Sequence, residues 1–421
     1  MIDVREKPRM VERAYLVGVA LPEEPDTMTE SLLAELNELV VTLGVGIVGQ
    51  ETVRIREPQA RMLLGKGKAE AIIHRARAHR ADCLVLDASL SPAQQRNWEA
   101  ASGLCVIDRQ EVILDIFSER AQTREAVLQV ELARAEHSLP RLKNAWTHLS
   151  RQRGGGGVTQ RGEGEAQIEL DARMVRQRIS RLKKELSAVL QHRDVQRKKR
   201  QRVPVPTAAL VGYTNAGKST LLNALTGADV LSADKLFATL DPTTRQLRLP
   251  GGQKLLLTDT VGFVRRLPHQ LVEAFKATLE EAVLADFLIH VVDVSNPEYR
   301  LQQETTLSVL KDLGADEKRI ITVFNKVDRL EEPPRAEEGT VPVSALAGSG
   351  FKTLLQECEA FLEDRMEVMQ LLIPFDRYDL VTQLHAQGGI RSKKAAEAGI
   401  AVVATVPRRL LEQYAPYQLK P

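Results

Sequence analysis

Cysteine is scarce: three residues in 421, at Cys83, Cys105 and Cys358, each in an apolar setting and none in a CxxC or Cys/His array. No disulfide and no zinc site is assigned, and buried thiols in a reducing compartment fit the usage. No apolar run reaches the roughly 18 residues that a spanning helix needs. The opening residues, Met-Ile-Asp-Val-Arg-Glu-Lys, hold no signal-peptide core. A cytoplasmic protein without membrane insertion is expected. Bulk charge is also lacking, since 58 Lys and Arg against 56 Asp and Glu leave a net +2. The sign is segregated instead, with a dozen Lys and Arg between Arg173 and Arg202 and few acids among them. A chain of 421 residues is too long for one ordinary core, so two to four domains are expected.

The first part alternates strand and helix patterns. Strands are expected at Ala14 to Ala20, Val45 to Val48, Asp82 to Asp87 and Leu104 to Asp108, and one helix opens at Ser91-Pro92. This is a small α/β domain with a parallel sheet, over residues 1–122. Gly65-Lys-Gly-Lys68 reads as an anion-binding helix start or as a basic turn. Asp87 and Asp108, at strand ends, read as crevice residues or as caps.

The pattern changes at Glu125, where apolar residues from Val127 to Trp146 line one side of a long helix in which Pro140 is a candidate kink. Six glycines lie among Arg151, Arg153 and Arg161, in the stretch Arg151 to Glu165, before a second helical run from Ile168 to Val195. The expectation over 123–202 is an antiparallel hairpin tipped by a phosphate-contacting loop. Arg173, Arg176, Arg178, Arg181, Lys183 and Lys184 are too dense to pair with the few nearby acids, which favours a nucleic-acid backbone.

From Thr207 an apolar run feeds a GxxxxGKS loop, Gly212-Tyr-Thr-Asn-Ala-Gly-Lys-Ser219, and then a helical pattern from Thr220. Strand, glycine loop and helix together make a triphosphate cradle. Gly212, Tyr213, Thr214, Asn215, Ala216 and Gly217 line it, Lys218 reaches the β- and γ-phosphates, and Ser219 can hold Mg²⁺, with Thr220 beside it. Further strands at Lys254 to Leu257, Phe287 to Val292, Ile320 to Phe324 and Val341 to Val343 predict a doubly wound sheet over 203–365.

Asn325-Lys-Val-Asp328 follows one strand, and its Asp328 carboxylate can accept two hydrogen bonds from the guanine N1–H and amine, a pair that adenine lacks. GTP is therefore expected, because sites built on such pairs reject analogues by roughly 10⁴. Asn325 would meet the other guanine edge, Lys326 would pack beside the ribose with Val327 behind, and Ser344-Ala345-Leu346 would complete the pocket. Asp259-Thr260-Val261-Gly262 would fix Mg²⁺ through water and aim the Gly262 N–H at the γ-phosphate. Phe237-Ala238-Thr239-Leu240-Asp241 brings Thr239 as a second Mg²⁺ ligand, with Thr243 or Thr244 as its alternative. These two segments would order with GTP. Lys218, Thr239 and Gly262 are the expected catalytic groups. Phe263 stands where many GTPases carry the glutamine that orients water, so slow intrinsic hydrolysis is expected. Asn215 could hold K⁺ near the phosphates or simply fix the loop. Residues 366–421 close the chain with a small α/β pattern.

The order GYTNAGKS, FATLD, DTVGF, NKVD and Ser-Ala is that of the translation-factor-like GTPases, and it most resembles the HflX family. Leu90-Ser-Pro-Ala-Gln-Gln-Arg-Asn97, Val106-Ile-Asp-Arg109, Leu114-Asp-Ile-Phe117, Leu128-Gln-Val-Glu-Leu132 and Trp146-Thr-His-Leu149 resemble its N-terminal part. The family's loop usually reads RGPGE followed by ETD, where this chain has Arg161-Gly-Glu-Gly-Glu165 and Glu169-Leu-Asp171. The resemblance implies a stress-related GTPase that binds the large ribosomal subunit and ribosomal RNA and separates stalled ribosomes, and a monomer is expected. An ATP-dependent RNA-remodelling enzyme and a signalling GTPase acting on protein effectors are the alternatives. The chain offers no second phosphate loop for the former, and its basic hairpin weighs against the latter.

Overall fold

The computed structural model describes residues 11–145, 159–200, 205–227, 236–237, 239–266, 276–332, 339–363, 366–386, 389–407 and 410–419. By contact, the chain forms two compact units. One holds Met1–Val189 with Lys235–Phe237 and Arg265–Phe275; the other holds Leu190–Asp234, Ala238–Val264 and Lys276–Pro421.

The first unit is built on four parallel strands, β1 (Arg13–Ala20), β2 (Gly46–Arg54), β3 (Cys83–Asp87) and β4 (Cys105–Asp108), in the order β2-β1-β3-β4. Helices α1 (Asp26–Thr42), α2 (Lys66–Ala78), α3 (Pro92–Ser102) and α4 (Arg109–Arg120) connect and follow them. Local sequence fixes α3 at both ends. Ser91 and Gln94 form a reciprocal capping box with Pro92 just inside, and Gly103 ends the helix in the left-handed conformation. One face of the sheet packs Tyr15, Val17, Leu84, Leu86 and Val106 against Ile72, Ile73 and Trp98, whose indole N–H donates to the Met62 carbonyl at 2.8 Å.

At the carboxyl ends of these strands lies a buried charge cluster. Arg109 pairs with Glu35 at 2.7 Å and with Asp87 at 2.8 Å. Arg265, which belongs to this unit, also pairs with Glu35, at 2.9 Å, and Arg266 reaches Glu24 at 2.5 Å and Asp87 at 3.6 Å. Three cations thus meet three carboxylates. Asp108 caps α4 through the Glu111 N–H at 2.9 Å and accepts from Leu90 N–H and Arg141, each at 3.2 Å. Both strand-end aspartates are therefore engaged within the fold. Lys66 makes an i,i+4 pair with Glu70 and Lys68 donates to the Arg54 carbonyl, as a basic helix start would.

Helix α5 (Arg124–Ala145) runs on through Pro140, and α6 spans Thr159–Arg200. They meet through Leu128, Leu132, Ala135 and Leu182. Two expectations change here. Backbone helix begins at Thr159, so Arg161, Gly162 and Gly164 lie in a helix and not in a loop. Each helical glycine costs about 1 kcal/mol, which propagation from a long helix can absorb. Arg151, Arg153 and Trp146 lie outside the described residues. The basic face is also less bare than expected: Arg178 pairs with Glu131 at 3.2 Å, Lys183 with Glu136 and Arg181 with Glu185, each at 2.8 Å. Two of those acids sit on α5, where counting along one helix misses them. Arg173, Arg176 and Lys184 are exposed and have no acidic partner among the described residues.

The second unit contains a six-stranded sheet in the order β10-β9-β8-β5-β7-β6, from β5 (Thr207–Gly212), β6 (Thr243–Arg248), β7 (Lys254–Asp259), β8 (Phe287–Asp293), β9 (Ile320–Asn325) and β10 (Thr340–Pro342). All neighbours run parallel except β6, an antiparallel edge strand. Central β5 is buried from Ala208 to Gly212, as a parallel strand covered on both faces must be. Helices α7 (Lys218–Thr226), α8 (Lys276–Leu284), α9 (Tyr299–Asp312) and α10 (Phe351–Glu363) complete it. A separate antiparallel sheet, β11-β13-β12, combines β11 (Met366–Ile373), β12 (Ile390–Ala396) and β13 (Gly399–Pro407), packed on α11 (Tyr378–Ala386). Strand β12 is exposed from Arg391 to Ala396, including Lys393 and Lys394. No helix among the described residues is long and apolar enough to cross a membrane.

Replacing Arg109 with alanine leaves Glu35 and Asp87 in the interior with less compensation. Removing one partner of a buried ion pair costs about 3–5 kcal/mol. We expect Arg109→Ala to lower the melting temperature of the first unit by on the order of 10 °C. A calorimetric trace that matches wild type would mean that Arg265 and Arg266 suffice to neutralise the carboxylates.

Candidate nucleotide-binding site

The glycine loop joins β5 to α7 under constraints that only some residues meet. Gly217 has φ +93°, and a Cβ there would sit 2.3 Å from the Asn325 Nδ2. A Cβ on Gly262 would lie 2.6 Å from the Thr214 Cα and 3.0 Å from Lys218 Nζ. Asn215, at φ +60°, takes the left-handed conformation that asparagine tolerates best after glycine. The loop is stitched to the end of β7 by Thr214 N–H to Phe263 carbonyl at 2.7 Å and Phe263 N–H to Gly212 carbonyl at 3.1 Å.

Lys218 is buried and donates to the Gly212 carbonyl at 3.1 Å and the Tyr213 carbonyl at 2.8 Å. Burial pushes its ammonium pKa down to about 8, against the opposing pull of Asp259. Asp259 is buried as well, and burial raises its pKa while Lys218, Ser219 and Thr239 oppose the shift. One carboxylate oxygen accepts from Ser219 at 2.6 Å and from Thr239 at 2.9 Å, and the two hydroxyls lie 2.7 Å apart. The other oxygen, Oδ1, is buried with no hydrogen-bond partner among the described residues.

Two hydroxyls and a half-satisfied carboxylate form a hard-oxygen donor set, which fits Mg²⁺, an ion that keeps several waters and takes few protein ligands. Ser219 and Thr239 would hold it, with Asp259 behind them. Thr243 and Thr244 are instead in β6, paired in register with Asp259 and Thr258. Ala238 lies outside the described residues.

At the end of β9, Asn325 is buried, its Nδ2 donating to the Ala216 carbonyl at 2.8 Å and its Oδ1 accepting from the Ala345 N–H at 3.0 Å. Its amide thus braces the phosphate loop against the Ser344-Ala345 turn, where the sequence suggested a contact with the base. Lys326 takes the left-handed conformation at φ +64° and pairs with Asp293 at 2.7 Å. Asp328, in a short 3₁₀ turn (Val327–Arg329), is exposed. Its carboxylate has no partner among the described residues. Ser344 is buried and accepts the Ala347 N–H at 3.0 Å, while Leu346 is 83% exposed.

Other expected contacts fall elsewhere. The Thr260 hydroxyl turns inward to the Leu210 carbonyl at 2.7 Å, and Val261 and Leu240 are buried. Phe237 packs edge-on against Phe117 in the first unit, with ring centroids 4.7 Å apart. Asp293 and His290 were missed by the sequence reading. Both lie on β8, and the rule that ligands gather at the carboxyl ends of parallel strands would have pointed to Asp293. His290 is buried beside the loop strand, opposite Val211, and its Nδ1 has no partner among the described residues. Burial first, then the Lys218 charge, lowers its pKa to about 4, so it stays neutral under Lys218.

Comparison with known proteins agrees with this geometry. Residues 30–118 match a family described as GTP-binding GTPase N-terminal, 120–200 its middle region, and 207–326 a family described as 50S ribosome-binding GTPase. The GTPase HflX of Akkermansia muciniphila is 51% identical over 423 residues, covering 97% of each chain. That of Caldanaerobacter subterraneus subsp. tengcongensis is 42% identical over 411 residues, covering 97% of this chain and 94% of the relative. The chain belongs to the HflX family of GTPases. A crystal structure of SsGBP with GDP covers 83% of this chain and 98% of its own at 24% identity, with a TM-score of 0.47.

As an HflX-family GTPase the chain binds guanine nucleotide and hydrolyses GTP. Its phosphate loop needs the left-handed turn at Gly217, where a side chain costs about 1–2 kcal/mol in backbone strain before any clash with Asn325. We expect Gly217→Ala to weaken binding of a fluorescent GDP analogue about tenfold or more. Wild-type affinity in that titration would show that the Asn325 brace is dispensable.

Proposed function

We propose that this HflX-family GTPase acts in the cytoplasm as a monomer that binds the large ribosomal subunit and separates stalled ribosomes under stress. The observation that carries this reading is a GTPase joined to a helix with exposed cations at Arg173, Arg176 and Lys184 that have no acidic partner among the described residues. Phosphates of ribosomal RNA suit such a face. The description of the matched family as 50S ribosome-binding supports it. We divide the work among four segments, 1–122, 123–202, 203–365 and 366–421, with nucleotide handled by the third.

In that segment Asp328 accepts the guanine N1–H and amine, and Lys326 lies along the base and ribose, held by Asp293. Lys218 leaves its carbonyl partners for the β- and γ-phosphate oxygens, and the Gly262 N–H meets the γ-phosphate. Mg²⁺, bound through Ser219 and Thr239, would offset charge on the phosphates. Phe263 is buried, with its N–H and carbonyl both engaged by the loop, so no side-chain amide orients water there. Hydrolysis is therefore slow until the ribosome completes the site, and K⁺ held near Asn215 assists it.

Asp328→Asn exchanges an acceptor pair for an amide. It is expected to shift preference from guanine to xanthine nucleotides, as read by competition binding. Retained guanine preference would place recognition elsewhere.

Co-sedimentation with large subunits in GTP and in GDP tests the partner. Binding is expected with GTP, together with faster turnover, more so in potassium than in sodium salts. Replacing Arg173, Arg176 and Lys184 with alanine should lower the salt slope of binding by roughly two to three units while sparing turnover without ribosomes. Absence of subunit binding would defeat the reading.

A further inference from the structure

Two of the three cysteines are neighbours in space. Cys83 opens β3 and Cys105 opens β4, and the two are direct register partners in the parallel ladder. Register partners on adjacent strands project from the same face, with strands about 4.8 Å apart. Val85 and Ile107 repeat the arrangement one step along. Cys83 is fully buried, whereas Cys105, on the edge strand, is exposed. The Cys83 thiol donates to the Leu84 carbonyl at 3.6 Å, and the neighbouring Cys105 thiol and, next, burial hold its proton on the sulfur.

We propose that Cys83 and Cys105 form an oxidisable dithiol, a modification site that takes a reversible cross-strand disulfide from hydroperoxides. The exposed Cys105 meets the oxidant. Its thiolate attacks the peroxide, the O–O bond breaks, and a sulfenic acid forms as water leaves. The Cys83 sulfur then attacks the sulfenic sulfur, an S–S bond forms, and the hydroxyl leaves as a second water with the Cys83 proton. Two thiols and one hydrogen peroxide become one disulfide and two waters.

Strand spacing favours reversibility. A disulfide draws Cβ atoms to about 3.8 Å, closer than the ladder holds register partners, so the bond is strained and easily reduced. Strained, accessible disulfides are the labile kind. Cys358 is an internal control, because it is buried in the core of the second unit and its thiol is pushed up to about 12 chiefly by burial.

The test uses the full chain, treated with hydrogen peroxide, digested after alkylation and read by mass spectrometry. Expected is a loss of about 2 Da in a linked pair of peptides holding Cys83 and Cys105, within monomeric protein, while Cys358 stays alkylatable. Dithiothreitol should restore both thiols. Cys105→Ser should leave Cys83 reduced, and Cys83→Ala should stop Cys105 at the sulfenic acid or carry it to the sulfinic acid. Wild-type protein that accumulates Cys105 sulfinic acid with Cys83 still free, that links two chains through Cys105, or that leaves both thiols unmodified overturns the proposal. Near-wild-type circular dichroism of Cys105→Ser confirms that its silence is chemical and not a failure to fold.

Discussion

A buried ammonium sets the terms for the nucleotide site. Removing Lys218 from water is unfavourable, and two loop carbonyls with the Asp259 charge offset only part of that cost. The loop must therefore bring its carbonyls to the amine. Gly262 tolerates no side chain because its Cβ would lie 2.6 Å from the Thr214 backbone, and Gly217 none because the Asn325 amide fills that space. Asn325 extends the same constraint to the end of β9, since one amide ties the phosphate loop to the turn at Ala345. The glycine loop, the end of β9 and that turn are thus parts of one hydrogen-bonded frame.

The Asp259 carboxylate complements that frame. Its Oδ2 gathers Ser219 and Thr239 from two segments distant in sequence, while Oδ1 remains unsatisfied. A buried acceptor without a donor is unfavourable by about 1–3 kcal/mol. Under the proposed function, a hydrated cation held through Ser219 and Thr239 would relieve it.

Much of this was legible in the sequence because it rests on local chemistry. Gly-x-x-x-x-Gly-Lys-Ser after an apolar strand implies a loop geometry, and Asn325-Lys-Val-Asp328 after an apolar run marks the turn that ends β9. The parallel sheet of the first unit also follows from apolar runs and the Ser91-Pro92 helix start. What failed were relations across distance. Strands β6 and β12 are polar edge strands, half solvated, and carry no apolar run to announce them. The partners of Arg178 and Lys183 lie on another helix, and Asn325 spends its amide on backbone groups 109 and 20 residues away. The Arg109 cluster draws on six positions from Glu24 to Arg266, which no window of sequence joins.

Strand β12 has a consequence for behaviour in solution. An edge strand offers unpaired N–H and C=O groups to any other extended chain. Here that edge carries Arg391, Lys393 and Lys394 within seven exposed or half-exposed residues, and Lys393 folds over the Tyr378 ring at 5.0 Å. A second copy approaching edge to edge would have to bring like charges together and strip their water. The three-stranded sheet can therefore end at β12 without inviting the fibrous growth that an apolar border would permit, even when the protein is concentrated.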